Sequence, residues 1–253
     1  MIRVDLNCDM GESTPLHSYL IEKDLSILPY ISSVNLACGF HAGDPSTMHQ
    51  LVEAALEREI AVGAHPAFPD KDNFGRTNLR LPPEQVYDLV VYQIGALQAF
   101  LQIYNARLHH VKAHGALYNM AAKDRSLADA ICQAVKDFDP HLMIYGLAGS
   151  ELIHAARERG LPAAEEAFAD RTYQPDGSLT PRTQPHALIE DPEESLQQVL
   201  QMLQTGSVAV GGEKTIPIKA DTICIHGDGK HAVEFARTIY QSLKQHHVSI
   251  QQP

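Results

Sequence analysis

The segment SVNLACGFHAGD, residues Ser33–Asp44, places a short apolar β-type run directly before a polar turn. Asp44 then precedes Pro45, and a capping residue followed by a proline is typical of a helix start. Apolar residues recur after this point at spacings of three and four, which indicates a helix. They are Met48, Leu51, Val52, Ala55 and Leu56. The segment therefore predicts a strand, a polar loop and a helix in succession.

The same succession recurs along the rest of the chain. The β-type runs are Ile2–Asn7, Ser33–Ala37, Ile60–Ala64, Leu108–Ala113, Leu142–Leu147 and Thr222–Ile225, with a weaker run at Pro162–Phe168. Helical patterns separate most of these runs, and such alternation favours parallel strands joined by right-handed crossovers. We therefore predict an α/β fold with one domain over residues 1–253, built as a (β/α) barrel of the TIM type, incomplete or distorted. An open doubly wound sheet is the alternative that the pattern leaves open.

Composition and charge narrow the class of protein. The chain has 253 residues and a formal net charge of −11, which argues against nucleic-acid or anionic-membrane partners because both need clustered positive charge. Charges at Arg3 and Asp5 come too early for a secretory signal, and no apolar run approaches the roughly 20 residues of a membrane span. The four cysteines lack CxxC spacing. We expect a cytoplasmic protein without disulfides.

Polar residues gather where the predicted strands end, which is where parallel α/β folds bind their ligands. Four histidines stand at or just past such ends, each close to a glycine or proline, and the first strand ends in carboxylates that include Asp9. A convergent cluster of titratable groups is the usual mark of a catalytic site. The residues for which we predict a catalytic role are Asp5, Asn7, Glu12, His41, His65, His114 and His226.

Two long segments without periodicity, Pro66–Leu81 and Ala169–Ile189, predict lids, binding loops or disordered segments, because structureless loops of this length in a compact domain are usually one of these. Their arginines suit carboxylate or phosphate groups, although a surface ion pair, worth about 0–1 kcal/mol, is the alternative for each. Asp44 and Asp228 serve equally well as helix caps. The residues for which we predict substrate binding are Asn35, Asp44, Arg76, Asp170, Arg171, Arg182 and Asp228.

Several familiar motifs are absent. The chain contains no P-loop, no GxGxxG after a strand, no GxSxG elbow and no HExxH. Cys38, three residues before His41, is a weak candidate nucleophile. The classes of chemistry that remain for the candidate residues are general acid–base catalysis and metal-assisted hydrolysis by carboxylates and imidazoles.

The sequence resembles the LamB/YcsF family, the A subunits of bacterial 5-oxoprolinase. The matching stretches follow the family's order and cover almost the whole chain. They are DLNCDMGES (Asp5–Ser13), NLACGFHAGD (Asn35–Asp44), GAHPAFPD (Gly63–Asp70), FGRT (Phe74–Thr77), VKAHGALYN (Val111–Asn119), EAFADRTY (Glu166–Tyr173), DGSLTPR (Asp176–Arg182) and ICIHGDG (Ile223–Gly229). Departures from the family's common residues are Cys8, Thr77 and Ala113, and none removes a charged group or an imidazole from the cluster.

The resemblance implies cleavage of 5-oxo-L-proline to L-glutamate, coupled to hydrolysis of ATP to ADP and phosphate. It also implies partner subunits B and C, and a barrel similar to that of the polysaccharide deacetylases. Two other functions stay open. One is a metal-dependent deacetylase-like hydrolase acting alone, with His41, His65 and a carboxylate such as Asp5 holding a divalent metal. The other is a non-catalytic subunit that binds substrate for its partners.

Overall fold

The structure is a computed structural model that describes residues 2–14, 19–212, 214–226 and 232–253. Its strands are β1 Arg3–Met10, β2 Ser33–Ala37, β3 Ala61–His65, β4 His110–Lys112, β5 Met143–Leu147, β6 Ala163–Phe168, β7 Ser207–Ala209, β8 Thr215–Pro217, β9 Thr222–Cys224 and β10 Ser249–Ile250. Its helices are α1 Ile21–Ile27, α2 Pro45–Leu56, α3 Pro83–Ile103, α4 Gly115–Ala121, α5 Arg125–Phe138, α6 Glu151–Glu158, α7 Pro192–Thr205 and α8 Ala232–Gln245. The strands and helices alternate through most of the chain.

Seven parallel strands close into a barrel. They pair in the order β1-β2-β3-β4-β5-β6-β9, and β9 also pairs with β1, where Asp5 lies opposite Thr222. This closure confirms the predicted barrel and excludes the open sheet, and the barrel is incomplete in having one strand fewer than the eight of a TIM barrel. Short β10 extends β1, and β7 with β8 forms an antiparallel hairpin. The sequence analysis predicted neither of these two additions.

The helix predicted from the apolar stripe after Asp44 is α2. Long helices also separate later strands, as the helical patterns predicted, and they are α3, α5, α7 and α8. Asp44 and Asp191 cap α2 and α7 by accepting two backbone N–H bonds each, and Gly206, in the left-handed conformation at φ 63°, ends α7. No apolar stripe was recognised for α1, α4 and α6. These helices have seven or eight residues, and two helical turns are too short for a periodic pattern to stand out.

Helix α3 has an unusual composition. At 21 residues it is long and apolar enough to span a membrane by length and composition alone, which the sequence analysis did not anticipate. However, its stripe of Val86, Val90, Ile94, Leu97 and Leu101 is fully buried, and the helix contacts α2, β3 and α5. A core helix of a barrel passes the same test of composition, so this feature is explained by packing.

The barrel interior is polar, whereas the hydrophobic core lies between the barrel and its helices. Alternate residues of β1 point to opposite faces. Apolar Leu6 and Met10 belong to the core, whereas Asp5, Asn7 and Asp9 are buried and hydrogen bond to groups inside the barrel. The four cysteines are buried and free, in agreement with the prediction of no disulfides.

Candidate active site at the strand ends

The first group of buried polar residues lies low in the barrel. We call Asp5, Ser32, Ser33, Tyr145 and Thr222 the lower polar cluster. Asp5 Oδ1 accepts hydrogen bonds from the Ser32 and Ser33 hydroxyls at 2.6 and 2.7 Å, and Oδ2 accepts one from Thr222 at 2.6 Å. Burial raises the pKa of Asp5 even though these bonds oppose the rise. Every bond to this carboxylate therefore comes from a neighbouring side-chain hydroxyl.

Asp5 is separated from the predicted histidines. It precedes Asp9 by four residues on β1, and a strand rises about 3.3 Å per residue, so the two carboxylates differ in height by about 13 Å. Asp5 does not line the cavity described below. We conclude that the structure does not bring Asp5, a predicted catalytic residue, to the same point as the histidines.

A middle layer joins the two ends of the interior. We call Asn7, Asn35, His110, Lys112 and Glu166 the linking layer. Lys112 Nζ lies 2.8 Å from Glu166 Oε1 and 3.2 Å from Asn7 Oδ1. Burial alone would lower the pKa of Lys112, but Asp9 and its other anionic neighbours raise that pKa well above its usual value. The ammonium therefore stays charged inside the barrel.

The two asparagines predicted as site residues belong to this layer. Asn7 Nδ2 donates to Glu166 Oε1 at 3.0 Å and to the Thr222 hydroxyl at 2.6 Å. Asn35 Nδ2 donates to Asn7 Oδ1 at 2.7 Å, and His110 Nε2 lies 2.6 Å from Asn35 Oδ1. Both amides are fully buried and bonded to protein atoms, so they support neighbouring side chains and do not face the cavity.

The predicted convergence occurs at the top of the barrel. We call Asp9, Glu12, His41, His65 and His114 the strand-end cluster. Glu12 Oε1 lies 3.1 Å from His41 Nε2 and 3.2 Å from His114 Nδ1, and His114 Nδ1 lies 3.0 Å from His65 Nε2. These residues lie at or just after the carboxyl ends of β1, β2, β3 and β4, which meet at one edge because the strands are parallel. Three of the four predicted histidines thus meet one predicted carboxylate.

A glycine allows the loop after β3 to cover the cluster. Gly75 has φ +65°, and a Cβ at this position would lie 2.7 Å from His41 Cβ and 2.9 Å from a His114 ring carbon. The preceding residue, Phe74, places its carbonyl oxygen 2.9 Å from His114 Nε2. Glycine is therefore required here for both backbone conformation and close approach.

The electrostatics of the cluster keep its carboxylates ionised. Burial alone would raise the pKa of Glu12, but hydrogen bonds and charge from His114 and His41 lower it well below its usual value. Burial, reinforced by His114, lowers the pKa of His41 to about 3. For Asp9, burial is outweighed by His65 and Lys112, which hold its pKa well below the usual range. The two carboxylates thus stay ionised, while burial lowers the pKa of the neighbouring His41 and His114.

The fourth predicted histidine forms a separate pair. His226 Nδ1 lies 2.8 Å from both carboxylate oxygens of Asp170, and its ring stacks on Phe168 with centroids 5.7 Å apart. Burial lowers the pKa of His226, but Asp170 reverses this effect and raises it overall. Burial likewise opposes the fall in the pKa of Asp170 that His226 causes. Asp170, predicted to bind substrate, therefore orients His226.

A cavity of about 750 Å³ opens above these groups. Glu12, His65, His114 and His226 line it, and so do the predicted arginines Arg76, Arg171 and Arg182. The Arg171 guanidinium is buried and donates to the carbonyl oxygens of Ala187 at 3.2 Å and Thr180 at 2.7 Å. Within the part of the chain that the structure describes, no carboxylate lies within salt-bridge distance of it. A buried cation whose partners are neutral suits an anionic ligand.

The remaining predicted residues lie elsewhere. Asp44 accepts hydrogen bonds from the backbone N–H groups of Ser46 and Thr47 at 2.9 and 3.0 Å, so it is the helix cap that the sequence offered as an alternative. Asp44 does not line the cavity. Asp228 lies outside the described residues.

Sequence reasoning left Glu166 and His110 out of the candidate site. Glu166 follows Glu165 inside the weak run Pro162–Phe168, and a charged pair within a β-type run is the signal that could have identified it. Its partner Lys112 was not among the predicted site residues either. Lys112 bonds to Asn7, whereas the contacts of Asp5 are with hydroxyl groups.

Four residues of the strand-end cluster could hold a metal ion. Glu12, His41, His65 and His114 each offer one ligand atom, and these atoms lie within 4.8 Å of one another. Imidazole nitrogen and carboxylate oxygen are common ligands of divalent transition metals. The site therefore combines candidate metal ligands, the Asp170–His226 pair and buried positive charge around one cavity.

Comparison with known proteins agrees with this architecture. The LamB/YcsF family model matches residues 4–253. The chain is 56% identical over 248 residues to the A subunit of 5-oxoprolinase from Bordetella parapertussis, with 98% of each chain covered. It superimposes on the lactam utilization protein of Thermus thermophilus with a TM-score of 0.91 and 44% identity over 100% of both chains.

A more distant likeness concerns the fold alone. A family 4 carbohydrate esterase from Streptomyces lividans matches with a TM-score of 0.52 and 11% identity, covering 98% of this chain and 91% of that chain. The expected similarity to a deacetylase-type barrel is thus found at the level of architecture. The sequence motifs, the closed seven-stranded barrel and the family match over residues 4–253 lead to one conclusion, that the chain belongs to the LamB/YcsF family.

Proposed function

We propose that this chain is the A subunit of an ATP-dependent 5-oxoprolinase, which cleaves 5-oxo-L-proline to L-glutamate while ATP is hydrolysed to ADP and phosphate. The observation that carries the proposal is a cavity that joins imidazoles and carboxylates to the buried guanidinium of Arg171, which forms no salt bridge with any of the described residues. Relatives named as the A subunit of 5-oxoprolinase, at 52–56% identity over nearly the whole chain, support the choice of substrate.

The chemistry of the substrate explains why both kinds of group are needed. A five-membered lactam is a stabilised amide that water attacks slowly, and transfer of the γ-phosphoryl group of ATP to its oxygen makes the ring carbon a better electrophile. Water then adds to this carbon, the ring C–N bond breaks and the nitrogen takes up a proton, which leaves an acyl phosphate at the former ring carbon. A second water hydrolyses this acyl phosphate and releases phosphate and glutamate. A base must accept the proton of the attacking water, and cations must hold the substrate carboxylate and the phosphate.

The residues divide between these tasks. The Asp170–His226 pair has the arrangement of a general acid–base group, since Asp170 holds Nδ1 and leaves Nε2 to exchange a proton. Glu12, His65 and His114 line the same cavity and would position the attacking water. Arg171, with Arg182 and Arg76 at the rim, would hold the carboxylate and the phosphate.

The proposal includes partner subunits B and C and a cytoplasmic location. The chain contains no P-loop, so we assign most of the ATP binding to the partners. The relatives are themselves named as one lettered component of 5-oxoprolinase, which agrees with a multisubunit enzyme.

A second candidate is a metal-dependent deacetylase-like hydrolase that acts alone. The set of possible metal ligands at the strand ends favours it, because such a site activates water without ATP. The third candidate, a non-catalytic substrate-binding subunit, predicts that replacing a histidine of the strand-end cluster leaves the rate of the complex nearly unchanged.

Glutamate release from 5-oxoproline with ATP tests these candidates. We would assay the chain alone, subunits B and C alone, and all three together, with wild type, His65→Ala and Arg182→Ala. We expect activity only in the complete mixture, its loss in His65→Ala, and a raised KM in Arg182→Ala. His154→Ala, which alters an exposed histidine of α6, is the matched control and should behave as wild type. Absence of glutamate from a verified complex would contradict the proposal.

A further inference from the structure

The tautomers of two histidines in the strand-end cluster are fixed by their surroundings. His65 Nδ1 lies 2.7 Å from the backbone carbonyl oxygen of Lys112, and His114 Nε2 lies 2.9 Å from that of Phe74. A carbonyl oxygen only accepts hydrogen bonds, so each of these nitrogens carries a proton and donates it. In a neutral ring the other nitrogen must then be a bare acceptor.

Those other nitrogens face each other. His65 Nε2 and His114 Nδ1 are 3.0 Å apart, and each has the lone pair of a neutral imidazole. Glu12 Oε1, also an acceptor, lies 3.2 Å from His114 Nδ1, and Asp9 Oδ2 lies 3.4 Å from His65 Nε2. Acceptors at these distances repel one another unless a positive charge lies between them.

Charged groups lie in and around the cluster. Asp9, Glu12 and Glu166 are carboxylates of the upper interior, and Lys112 is the ammonium paired with Asp9 and Glu166. Three carboxylates and one ammonium thus lie in or next to the cluster in a largely buried region. Burying carboxylates is costly unless cations lie beside them, so a bound cation would be stabilised at this point.

The spacing of the facing atoms also suits a metal. In a tetrahedral site with bonds of about 2.0–2.1 Å, neighbouring ligand atoms are about 3.3 Å apart. Among His65 Nε2, His114 Nδ1, His41 Nε2 and Glu12 Oε1, separations of 3.0, 3.1 and 3.2 Å are close to this value, and His65 Nε2 lies 3.9 Å from Glu12 Oε1. Histidine ligands of metals almost always donate their second N–H to a carbonyl or carboxylate, as His65 and His114 do here.

We propose that Glu12 Oε1, His41 Nε2, His65 Nε2 and His114 Nδ1 bind one divalent transition-metal ion of the zinc type. Three imidazoles and one carboxylate favour this class over magnesium or calcium, which prefer oxygen ligands. Glu12, His65 and His114 also line the cavity, so a water or a substrate oxygen can reach the site. A bound metal would supply Lewis acidity at this point. The site coincides with that of the proposed function, but its assignment does not depend on the substrate.

A proton shared by His65 and His114 is the competing way to separate the two lone pairs. It predicts a folded chain that binds no metal at the cluster. Metal binding measured without any substrate therefore decides between the two explanations.

The first experiment uses the full-length chain without a histidine tag. Metal content is measured by mass spectrometry after purification without chelators. The chelated chain is then titrated with Zn²⁺ by calorimetry and with Co²⁺ by visible absorption. We expect one equivalent of either ion, with the absorption bands of Co²⁺ bound to nitrogen ligands. Failure of the folded chelated chain to bind Zn²⁺ and Co²⁺ at millimolar concentration would overturn the proposal.

Variants locate the site. His65→Ala and His114→Ala should weaken Zn²⁺ binding by more than the roughly 10–100-fold that loss of an outer hydrogen-bond partner costs. His154→Ala is the control, because it removes an exposed histidine outside the cluster. This variant should bind one equivalent of Zn²⁺, as wild type does. Unchanged binding by folded His65→Ala and His114→Ala would place the metal elsewhere and overturn the proposal.

X-ray absorption of the zinc-loaded wild-type chain measures the number of imidazole ligands directly. This test does not depend on whether the variants fold. Scattering from two or more imidazoles supports the site, and fewer than two contradicts it.

The outcome of the metal-binding experiments is also separable from the proposed function. A chain that binds zinc as described but releases no glutamate in the full complex retains the metal site and loses the substrate assignment. A chain that binds no metal but releases glutamate in the full complex retains the substrate assignment and loses the metal site.

Discussion

The lower polar cluster and the strand-end cluster occupy the same barrel and differ in how their hydrogen bonds are completed. In the lower cluster, rotatable hydroxyl groups of Ser32, Ser33 and Thr222 donate to the two oxygens of Asp5. In the strand-end cluster, His65 and His114 direct acceptor atoms at each other and at carboxylates. A buried carboxylate whose hydrogen bonds are all made stabilises the fold, whereas acceptor atoms that face one another are suited to bind a cation.

Buried atoms without partners show the same contrast. Among the described residues, the buried atom His41 Nδ1 of the strand-end cluster has no hydrogen-bond partner. No side-chain oxygen of the lower polar cluster is left without one. An unpaired buried atom is expected where strain or a ligand site is retained for function.

The largest effect should come from the strand-end cluster. We expect His65→Ala to lower the rate of glutamate release by the assembled enzyme at least about 1000-fold, because it removes a group at the centre of the site. The free energy of unfolding of the metal-free chain should change much less, since facing acceptors are relieved. Steady-state kinetics and urea unfolding measure the two quantities. If the activity of His65→Ala stayed within tenfold of wild type, the strand-end cluster would not differ from the lower polar cluster in its importance for catalysis.

The lower polar cluster should respond in the opposite way. We expect Asp5→Ala to reduce the free energy of unfolding by about 2–4 kcal/mol, because three buried hydroxyls lose their acceptor. The rate per folded molecule should fall far less than in His65→Ala. Urea unfolding and kinetics on the same preparation provide the comparison.

Asp5→Asn is the matched control, since the amide keeps one acceptor oxygen and should restore more than half of the lost stability. A rate loss in Asp5→Asn as large as that in His65→Ala, with unchanged stability, would instead support the catalytic role that the sequence predicted for Asp5.

The Asp170–His226 pair allows a test by pH. The raised pKa of His226 stabilises the fold below the unfolded value of 6.5, and this contribution is lost as pH rises through the raised pKa. The lowered pKa of Asp170 stabilises the fold above 3.8, and this contribution is lost as pH falls through the lowered pKa. The pair therefore contributes most between pH 3.8 and 6.5.

We expect Asp170→Asn to destabilise the fold by about 1–2 kcal/mol near pH 5.5 and by less at pH 8.5, measured by urea unfolding at both values. His154→Ala controls for the titration of an exposed histidine. A loss that is equal at the two pH values would indicate that the pair is not ionised in this way.

The smallest effect should come from Asp44, which belongs to neither cluster. We expect Asp44→Ala to lower the free energy of unfolding by about 1 kcal/mol through loss of the α2 cap, and Asp44→Ser, which retains a capping oxygen, to recover most of it. KM for 5-oxoproline should not change. A raised KM with unchanged stability would support the substrate-binding role predicted from the sequence.

Local sequence features predicted most of the fold. Strands and long helices were recognised from their periodicity, and the cap at Asp44 from residue type, because these signals depend on neighbours along the chain. The convergence of His41, His65 and His114 followed from the rule that parallel strands end at one edge. Short α1, α4 and α6, and the hairpin of β7 and β8, carried too few repeats to be recognised.

The sequence by itself determined which residue types stand at the strand ends, and hence the imidazole and carboxylate character of the site. Only the tertiary structure decided which of them meet. The height of a side chain in the barrel depends on strand register, which hydrogen bonds between distant segments set, as for Asp5 opposite Thr222. The pairing of Asp170 with His226 joins residues 56 positions apart and depends on the same closure. A change of one residue in register would turn these side chains to the other face of the sheet, so no local pattern could have specified the contacts.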